Sequence, residues 1–180
     1  MTNNLLESDA VRLRALEPED VDLLYKWEND TNVWKVSNTT VPFSRHILRQ
    51  FIDSQKYDIF ETRQLRLIIE EKEQQRAVGT VDLFDIDPYN RRAGVGIIIY
   101  DKRDKGQGYA SAALQLLIRY VFMALNLHQI YCNILSDNTA SLNLFRSKGF
   151  LTVGAKRGWV RTTSGWTDEY MLQLLNPKKE

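Results

Sequence analysis

Arg103-Asp104-Lys105-Gly106-Gln107-Gly108-Tyr109-Ala110-Ser111 is the stretch on which the reading of this chain turns. It follows an apolar, strand-like run, Val95-Gly96-Ile97-Ile98-Ile99-Tyr100, and opens into a long amphipathic helix. A strand, a glycine-rich turn and a helix N-terminus together make an anion site. The first helical N–H groups have no intrahelical acceptor, and the helix dipole favours negative charge. Gly106 and Gly108 let a ligand approach the backbone, while Arg103 and Lys105 add positive charge. The ligand chemistry this implies is a phosphate or pyrophosphate. A helix start that merely needed flexible residues is the other reading, because a lone Gly-x-Gly is a weak signal. Two phosphate motifs are excluded. No Lys-Ser or Lys-Thr pair follows the glycines as a P-loop requires, and a G-x-G-x-x-G fingerprint would put glycine where Ser111 stands. The acidic ribose partner expected about 20 residues on is replaced by His128-Gln129-Ile130-Tyr131.

A second constellation lies one helix and one strand further on. After Ile130-Tyr131-Cys132-Asn133-Ile134-Leu135 comes Asn138-Thr139-Ala140-Ser141-Leu142-Asn143-Leu144-Phe145-Arg146-Ser147-Lys148-Gly149-Phe150. Here the chain resembles the GNAT superfamily of N-acetyltransferases. Their acetyl-CoA loop, Arg or Gln-x-x-Gly-x-Gly or Ala, is matched by Arg103, Gly106 and Gly108. Their following element, N-x-x-[SA]-x-x-[LF]-[YF]-x-x-x-G-F, is matched by Asn138, Ser141, Leu144, Phe145, Gly149 and Phe150. The resemblance runs from about Val11 to Leu175 and is nearest to the branch holding ribosomal-protein and spermidine (diamine) acetyltransferases. It implies a single α/β (α+β) domain over residues 1–180, with its core at about 11–175. The implied sheet is mixed, mostly antiparallel and twisted, flanked by helices, with a splayed strand pair holding acetyl-CoA.

Composition agrees. A chain of 180 residues is expected to form one domain. A formal net charge of +1 argues against a nonspecific nucleic-acid binder. Cys132 is the single cysteine, which rules out an intrachain disulfide and a cysteine-based zinc cluster. It reads as a small apolar residue of a core strand, with a catalytic thiol as the minority reading. His46 and His128 lack metal-ligand spacing, so no metal is expected. Met1-Thr2-Asn3-Asn4 lacks the features of a signal peptide, and no apolar run approaches the ~20 residues of a membrane span. A cytoplasmic protein without a membrane partner is expected.

Periodicity predicts a strand at Val11–Leu16, then a helix from Pro18 with Val21, Leu24 and Trp27 inward. Ser44 reads as the N-cap of a second helix burying Ile47, Leu48, Phe51 and Ile52. Strands follow at Leu65–Glu70, Ala77–Phe84 and Ala93–Tyr100. The long helix carries Leu114, Leu117, Ile118, Val121, Phe122 and Leu125 on one core-facing stripe. Two closing strands, near Phe150–Val160 and Trp166–Leu174, flank a turn at Thr163-Ser164-Gly165 and would support a homodimer without requiring one. The residues after Leu175 read as a frayed tail.

The resemblance implies that the loop at Arg103, Lys105, Gly106, Gln107, Gly108, Tyr109, Ala110 and Ser111 holds the pyrophosphate. Ile97, Ile98 and Ile99 would pair with the pantetheine arm, and a backbone N–H there would face the thioester oxygen. Asn138, Ser141 and Phe145 match family positions near that arm, although Asn138 and Ser141 also suit the capping of the following helix. Two departures affect the mechanism. Relatives often carry a glutamate general base in the strand before the loop, where this chain reads Ala93-Gly94-Val95-Gly96; relatives often carry a tyrosine at Phe145 to protonate the departing thiolate. A general acid or base typically contributes ~10²–10⁴-fold, so a displaced base is expected. Asp82 is the first candidate, acting directly or through water. Asp85 and Asp87 suit a turn before Pro88.

The first helix is acidic, with Glu17, Glu19, Asp20, Asp22, Glu28 and Asp30 opposed only by Lys26. Such charge attracts a cationic amine but is also an ordinary solvated face. Residues 28–38 wall the acceptor pocket in relatives, which makes Glu28, Asp30 and Trp34 candidates for substrate contact; Trp34 either stacks on the substrate or pins the loop. Trp159, Trp166, Asp168, Glu169 and Tyr170 are further candidates on the acceptor side. The expected activity is acetyl transfer from acetyl-CoA to a primary amine by direct attack, with a polyamine or diamine as acceptor. A protein N-terminus of the ribosomal-protein type, or a catalytically weak acyl-CoA-binding module, is the alternative. A nucleotide-phosphate protein outside the superfamily is disfavoured by the paired motifs.

Overall fold

The computed structural model describes residues 4–37, 39–163 and 165–177, without the side chain of Val36. The end of the 28–38 segment at Asn38, the middle of the closing turn at Ser164 and both extreme termini lie outside the described residues. In chain order the elements are β1 (Val11–Arg14), α1 (Val21–Glu28), α2 (Thr31–Ser37), α3 (Arg45–Ser54), α4 (Ile59–Thr62), β2 (Leu65–Glu71), β3 (Arg76–Asp87), β4 (Arg92–Ile99), α5 (Tyr109–Met123), β5 (Gln129–Leu135), α6 (Thr139–Ser147), β6 (Leu151–Thr162) and β7 (Gly165–Leu175). The strands form one seven-stranded sheet in the order β1-β2-β3-β4-β5-β7-β6. Only β4 and β5 are parallel neighbours; every other pair is antiparallel. No helix among the described residues is long and apolar enough to cross a membrane.

Strand alternation sorts side chains to two faces. Leu67, Val81, Leu83, Val95 and Ile97 face the side covered by α5, whose Leu114, Leu117, Ile118 and Val121 are buried against them. Ile68, Ile98 and Tyr100 face the other side, where α1 and α3 supply Val21, Leu24, Trp27, Leu48 and Ile52. Trp27 stacks on Tyr100 with ring centroids 4.2 Å apart. The expected stripe of α3 is corrected at one position: Ile47 is 47% exposed, because α3 turns only Leu48 and Ile52 fully inward. Ser44 caps α3 as expected, accepting from the Ile47 N–H at 3.2 Å.

Three segments differ from expectation, the first being the short α4, begun by Asp58, whose side chain accepts from the Phe60 N–H at 2.7 Å. Residues 31–37 form α2 rather than loop, begun by Asp30, whose side chain accepts from the Asn32 N–H at 2.9 Å. The β-branched Thr31, Val33 and Val36 give this helix poor intrinsic propensity. The strand β3 runs past Phe84 to Asp87, with a register irregularity against β4 between those residues. Asp85 sits at φ 49° in that irregularity, so it belongs to a bulged strand and not to a turn. Asp87 does cap the turn that follows, accepting from the Asn90 N–H at 2.9 Å.

The parallel pair opens. Its register runs only from Arg92↔Gln129 through Ala93↔Ile130 to Gly94↔Tyr131, after which β4 continues paired to β3 alone and β5 to β7 alone. The Phe84 ring lies over Gly94 at the point of parting and meets Tyr131 edge-on, with centroids 6.3 Å apart. A methyl group on Gly94 would stand 2.2 Å from Phe84 Cε2. This is why the position is glycine, and why no larger side chain fits there without moving the ring. Gly94→Ala is therefore expected to destabilise the protein by about 1–3 kcal/mol through overpacking. Adding Phe84→Leu should recover part of that loss in a denaturant melt; strictly additive losses in the double variant would refute the account.

Candidate active site

The open fork leaves two adjoining cavities. The one at its outer end, of about 720 Å³, is lined by Ile97–Ile99 of β4, the loop into α5 and the first turn of α6. Gly106 and Gly108 take φ values of 79° and 84°, left-handed conformations that favour glycine. No atom lies within 4 Å of where a Cβ would stand at either position, so their outer faces are open. Gly108 begins α5, and Tyr109, Ala110 and Ser111 present first-turn N–H groups to the cavity. Ile97, Ile98, Ile99, Lys105, Gly106, Gly108, Tyr109, Ala110, Ser111, Asn138 and Ser141 are thus brought together as the sequence implied.

Three expected cofactor residues stand elsewhere. The Arg103 side chain turns to Asp101 at 3.2 Å and lines neither cavity. Gln107 reaches back to the Arg103 carbonyl at 3.5 Å and also lies outside both linings. Phe145 is buried edge-on against Phe150, with centroids 5.0 Å apart, and lines the inner cavity instead. Asn138 caps α6, accepting from the Ser141 N–H at 3.2 Å, so both residues serve the helix as well as the cavity wall.

Asp104 was invisible to motif reading, yet it holds the loop in place. Nearly fully buried, it accepts two hydrogen bonds from Arg76 of β3, at 2.7 and 2.8 Å. The Arg76 guanidinium holds the Asp104 carboxyl below the usual carboxylate range, so the clamp is charged at neutral pH. Lys35 of α2 pairs with Asp137 at 2.8 Å beside the outer cavity and lines both cavities.

The inner cavity, of about 600 Å³, shares Lys35, Ile97, Ile98, Leu135, Asn138 and Ser141 with the outer one. Asp82 projects into it from β3, directly across from Gly96 of β4, which offers no side chain to cover it. Arg66 of β2 donates from Nε to Asp82 at 2.5 Å and from Nη1 to Glu28. Burial disfavours the Arg66 charge, but Asp82 and Glu28 outweigh that penalty and hold the guanidinium protonated. Two carboxylates share one guanidinium, leaving a net negative charge whose accessible end is Asp82. Tyr100 lies close behind; burial and the Glu28 charge keep its hydroxyl protonated well above the ordinary phenol range. Opposite, Glu169 of β7 pairs with Lys156 of β6 at 2.8 Å, and both line the cavity together with Asn133 and Trp159. Cys132 also lines it, but burial pushes its thiol up to about 12, so it is no nucleophile at neutral pH.

The expected substrate contacts fall outside both linings. Glu28 is buried behind Arg66, Asp30 caps α2, and Trp34 donates its indole N–H to the Glu28 carbonyl at 2.8 Å. Trp34 thus pins the segment. Of the closing hairpin, Trp159 and Glu169 reach the cavity, whereas Trp166, Asp168 and Tyr170 do not line it; Asp168 instead accepts from Arg157 and from the Gly158 N–H. Arg66 and Lys156 were not anticipated. Basic residues attract no attention beside an expected cationic acceptor, and only the fold reveals which carboxylates they neutralise. Among the described residues no group of three or more side chains is arranged to hold a metal ion.

Comparison with known proteins agrees with this geometry. An acetyltransferase (GNAT) domain model matches residues 10–151. An N-acetyltransferase designated p20 from Bacillus licheniformis is 33% identical over 177 residues, covering 94% of this chain and 95% of its own. A spermidine N(1)-acetyltransferase from Escherichia coli (strain K12) is 30% identical over 81% of this chain and 75% of its own. The crystal structure of spermidine N-acetyltransferase from Vibrio cholerae in complex with CoA and spermine superposes with a TM-score of 0.85 at 24% identity, covering 95% of this chain and 98% of that one. A sheet that parts between β4 and β5, a glycine loop opening α5 and a family match across most of the sequence lead to one conclusion: this chain belongs to the GNAT acetyltransferase family.

Proposed function

We propose that the protein transfers an acetyl group from acetyl-CoA to a small primary amine of the diamine and polyamine class, by direct attack. The observation that carries this reading is the inner cavity, joined to the outer one, into which Asp82 presents the surplus negative charge of the Glu28–Arg66–Asp82 cluster, while the other cations of its lining, Lys35 and Lys156, are each paired with a carboxylate. Carboxylate charge in a cleft concentrates cationic ligands. The spermidine N(1)-acetyltransferase relative from Escherichia coli points the same way.

The residues present fit acetyl-CoA. The open left-handed backbone at Gly106 and Gly108 and the first-turn amides of α5 suit its pyrophosphate. The edge of β4 at Ile97–Ile99 has no strand partner on the β5 side, so its backbone is available to an extended amide-bearing arm. When bound, acetyl-CoA supplies an acyl group activated as a thioester. Asp82 holds the acceptor ammonium and takes its proton, directly or through a water that passes it to solvent. The Phe145 ring carries no proton to give and excludes water from the inner wall. With the Cys132 thiol protonated, the amine itself is the nucleophile.

The decisive experiment is CoA release from acetyl-CoA across diamines, polyamines, amino acids, aminoglycosides and N-terminal peptides, beside a CoA-binding titration. Turnover of diamines and polyamines upholds the reading. Turnover confined to peptides would make the protein an N-terminal acetyltransferase, and CoA binding without any turnover would make it an acyl-CoA-binding module. Asp82→Asn is expected to lower kcat by ~10²-fold or more while leaving the Kd for CoA unchanged; wild-type turnover of the amine in that variant would refute the assignment. Gly108→Ala forces a methyl-bearing residue to φ 84°, at about 1–2 kcal/mol. It is expected to raise the Kd for CoA roughly tenfold, as read by calorimetric titration.

A further inference from the structure

The wall of the inner cavity opposite Asp82 already holds a primary ammonium. Lys156 Nζ donates to Glu169 Oε2 at 2.8 Å and to Asn133 Oδ1 at 3.1 Å, and lies 5.2 Å from the centre of the Trp159 ring. A carboxylate, a neutral oxygen and an aromatic face are the three kinds of partner that recognise an alkylammonium group. The Glu169 side chain is only 10% exposed and so requires a cation beside it, whereas Lys156 remains 34% exposed. Lys156 stands on β6, an edge strand whose pairing with β7 is irregular between Lys156 and Val160. Its flexible stem can therefore swing outward without dismantling the sheet. Trp159, 60% exposed, would stay behind as one side of the cage.

We propose that Glu169, Asn133 and Trp159 form a second ammonium subsite, and that Lys156 occupies it until the remote ammonium of a di- or polyamine takes its place. The inference rests on the reading that the acceptor is a small amine. One ammonium replaces another of the same charge and chemistry, so the exchange leaves Glu169 paired throughout. Acceptors with a single amine gain nothing from this wall. The subsite thus creates the preference for acceptors that carry a second cation, and Lys156, by competing for it, holds that preference down.

The ordinary alternative is a cross-strand pair between register neighbours that serves only the hairpin. The two readings differ in sign. Lys156→Met and Glu169→Gln break the same ion pair, so a structural role moves both variants in the same direction. A subsite moves them oppositely, because Lys156→Met leaves Glu169 free for the acceptor while Glu169→Gln removes the anion. It also makes the charge-neutral Trp159→Leu lower the ratio measured below, which a change of cavity charge alone would not. The measurement is kcat/KM for spermidine divided by that for n-butylamine, in the full chain at saturating acetyl-CoA. Lys156→Met is expected to raise this ratio about tenfold and Glu169→Gln to lower it about tenfold, with partial recovery in Glu169→Asp. Equal ratios in the wild type and both variants, or shifts of the same sign, would overturn the proposal. If no amine is turned over, the small-amine reading of the activity fails, and the subsite is tested by spermidine titration of the CoA-loaded protein. Weaker spermidine binding in Glu169→Gln and tighter binding in Lys156→Met would uphold the subsite; unaltered or undetectable binding would overturn it.

Discussion

Everything about this molecule that bears on chemistry follows from two parallel strands that stay paired for three residues and then part. A strand edge inside a protein carries N–H and C=O groups that must find partners. Along Val95–Ile99, β4 meets that demand on the β3 side only. The unpaired side faces a gap that a ligand with its own amides can fill as a surrogate strand. The N-terminal turns of α5 and α6 both border this gap, so donors left over at helix starts meet a strand edge left over by the fork. The Phe84 ring over Gly94 marks where the opening begins. The same contact leaves no room for a carboxylate side chain at Gly94 of β4 while the ring stands there.

Charge placement complements this geometry. The clamp between Arg76 and Asp104 is closed, one guanidinium for one carboxylate with two hydrogen bonds, and it serves to hold the loop shape. The cluster around Arg66 is uneven, with Glu28 and Asp82 sharing a single guanidinium. An evenly matched buried pair spends its attraction on mutual desolvation, whereas an uneven cluster retains charge for something outside it. Glu28, read in the sequence as a direct contact, instead affects the cavity from behind by occupying part of Arg66 and leaving Asp82 less fully neutralised.

The wall of the outer cavity was largely legible, apart from Arg103, Gln107 and Phe145, because backbone demands write themselves into sequence. Left-handed turns at Gly106 and Gly108, the Asn138 cap and the stripe of α5 each require particular residue types at fixed spacing. The inner cavity was only partly legible. Asp82 and Glu169, singled out in the sequence, do line it, but their partners Arg66 and Lys156 come from strands 16 and 13 residues away in sequence. No local pattern encodes such pairs. The helix α2 escaped for a different reason: its β-branched residues favour extended chain, and packing of Val33 together with the Asp30 cap overrides that preference. Arg103 shows the converse limit. A motif position can match while the side chain, with Asp101 two residues away, turns from the cavity.

The two cavities differ in what builds them. The outer cavity is built largely from main chain and helix termini, which depend on fold and glycine placement more than on side-chain identity. The inner cavity has an apolar floor from β4, β5 and α6 that belongs to the core, and its charged groups, Arg66, Asp82, Lys156 and Glu169, come from side chains of β2, β3, β6 and β7. Substitution at Lys156, Trp159 or Asn133 alters an exposed or half-exposed wall without entering the main core. Substitution at Phe84, Gly94 or Asp104 disturbs the fork or the loop on which both cavities depend. The two cavities thus draw on different physical resources: hydrogen-bonding backbone for the outer one, paired side-chain charge for the inner one.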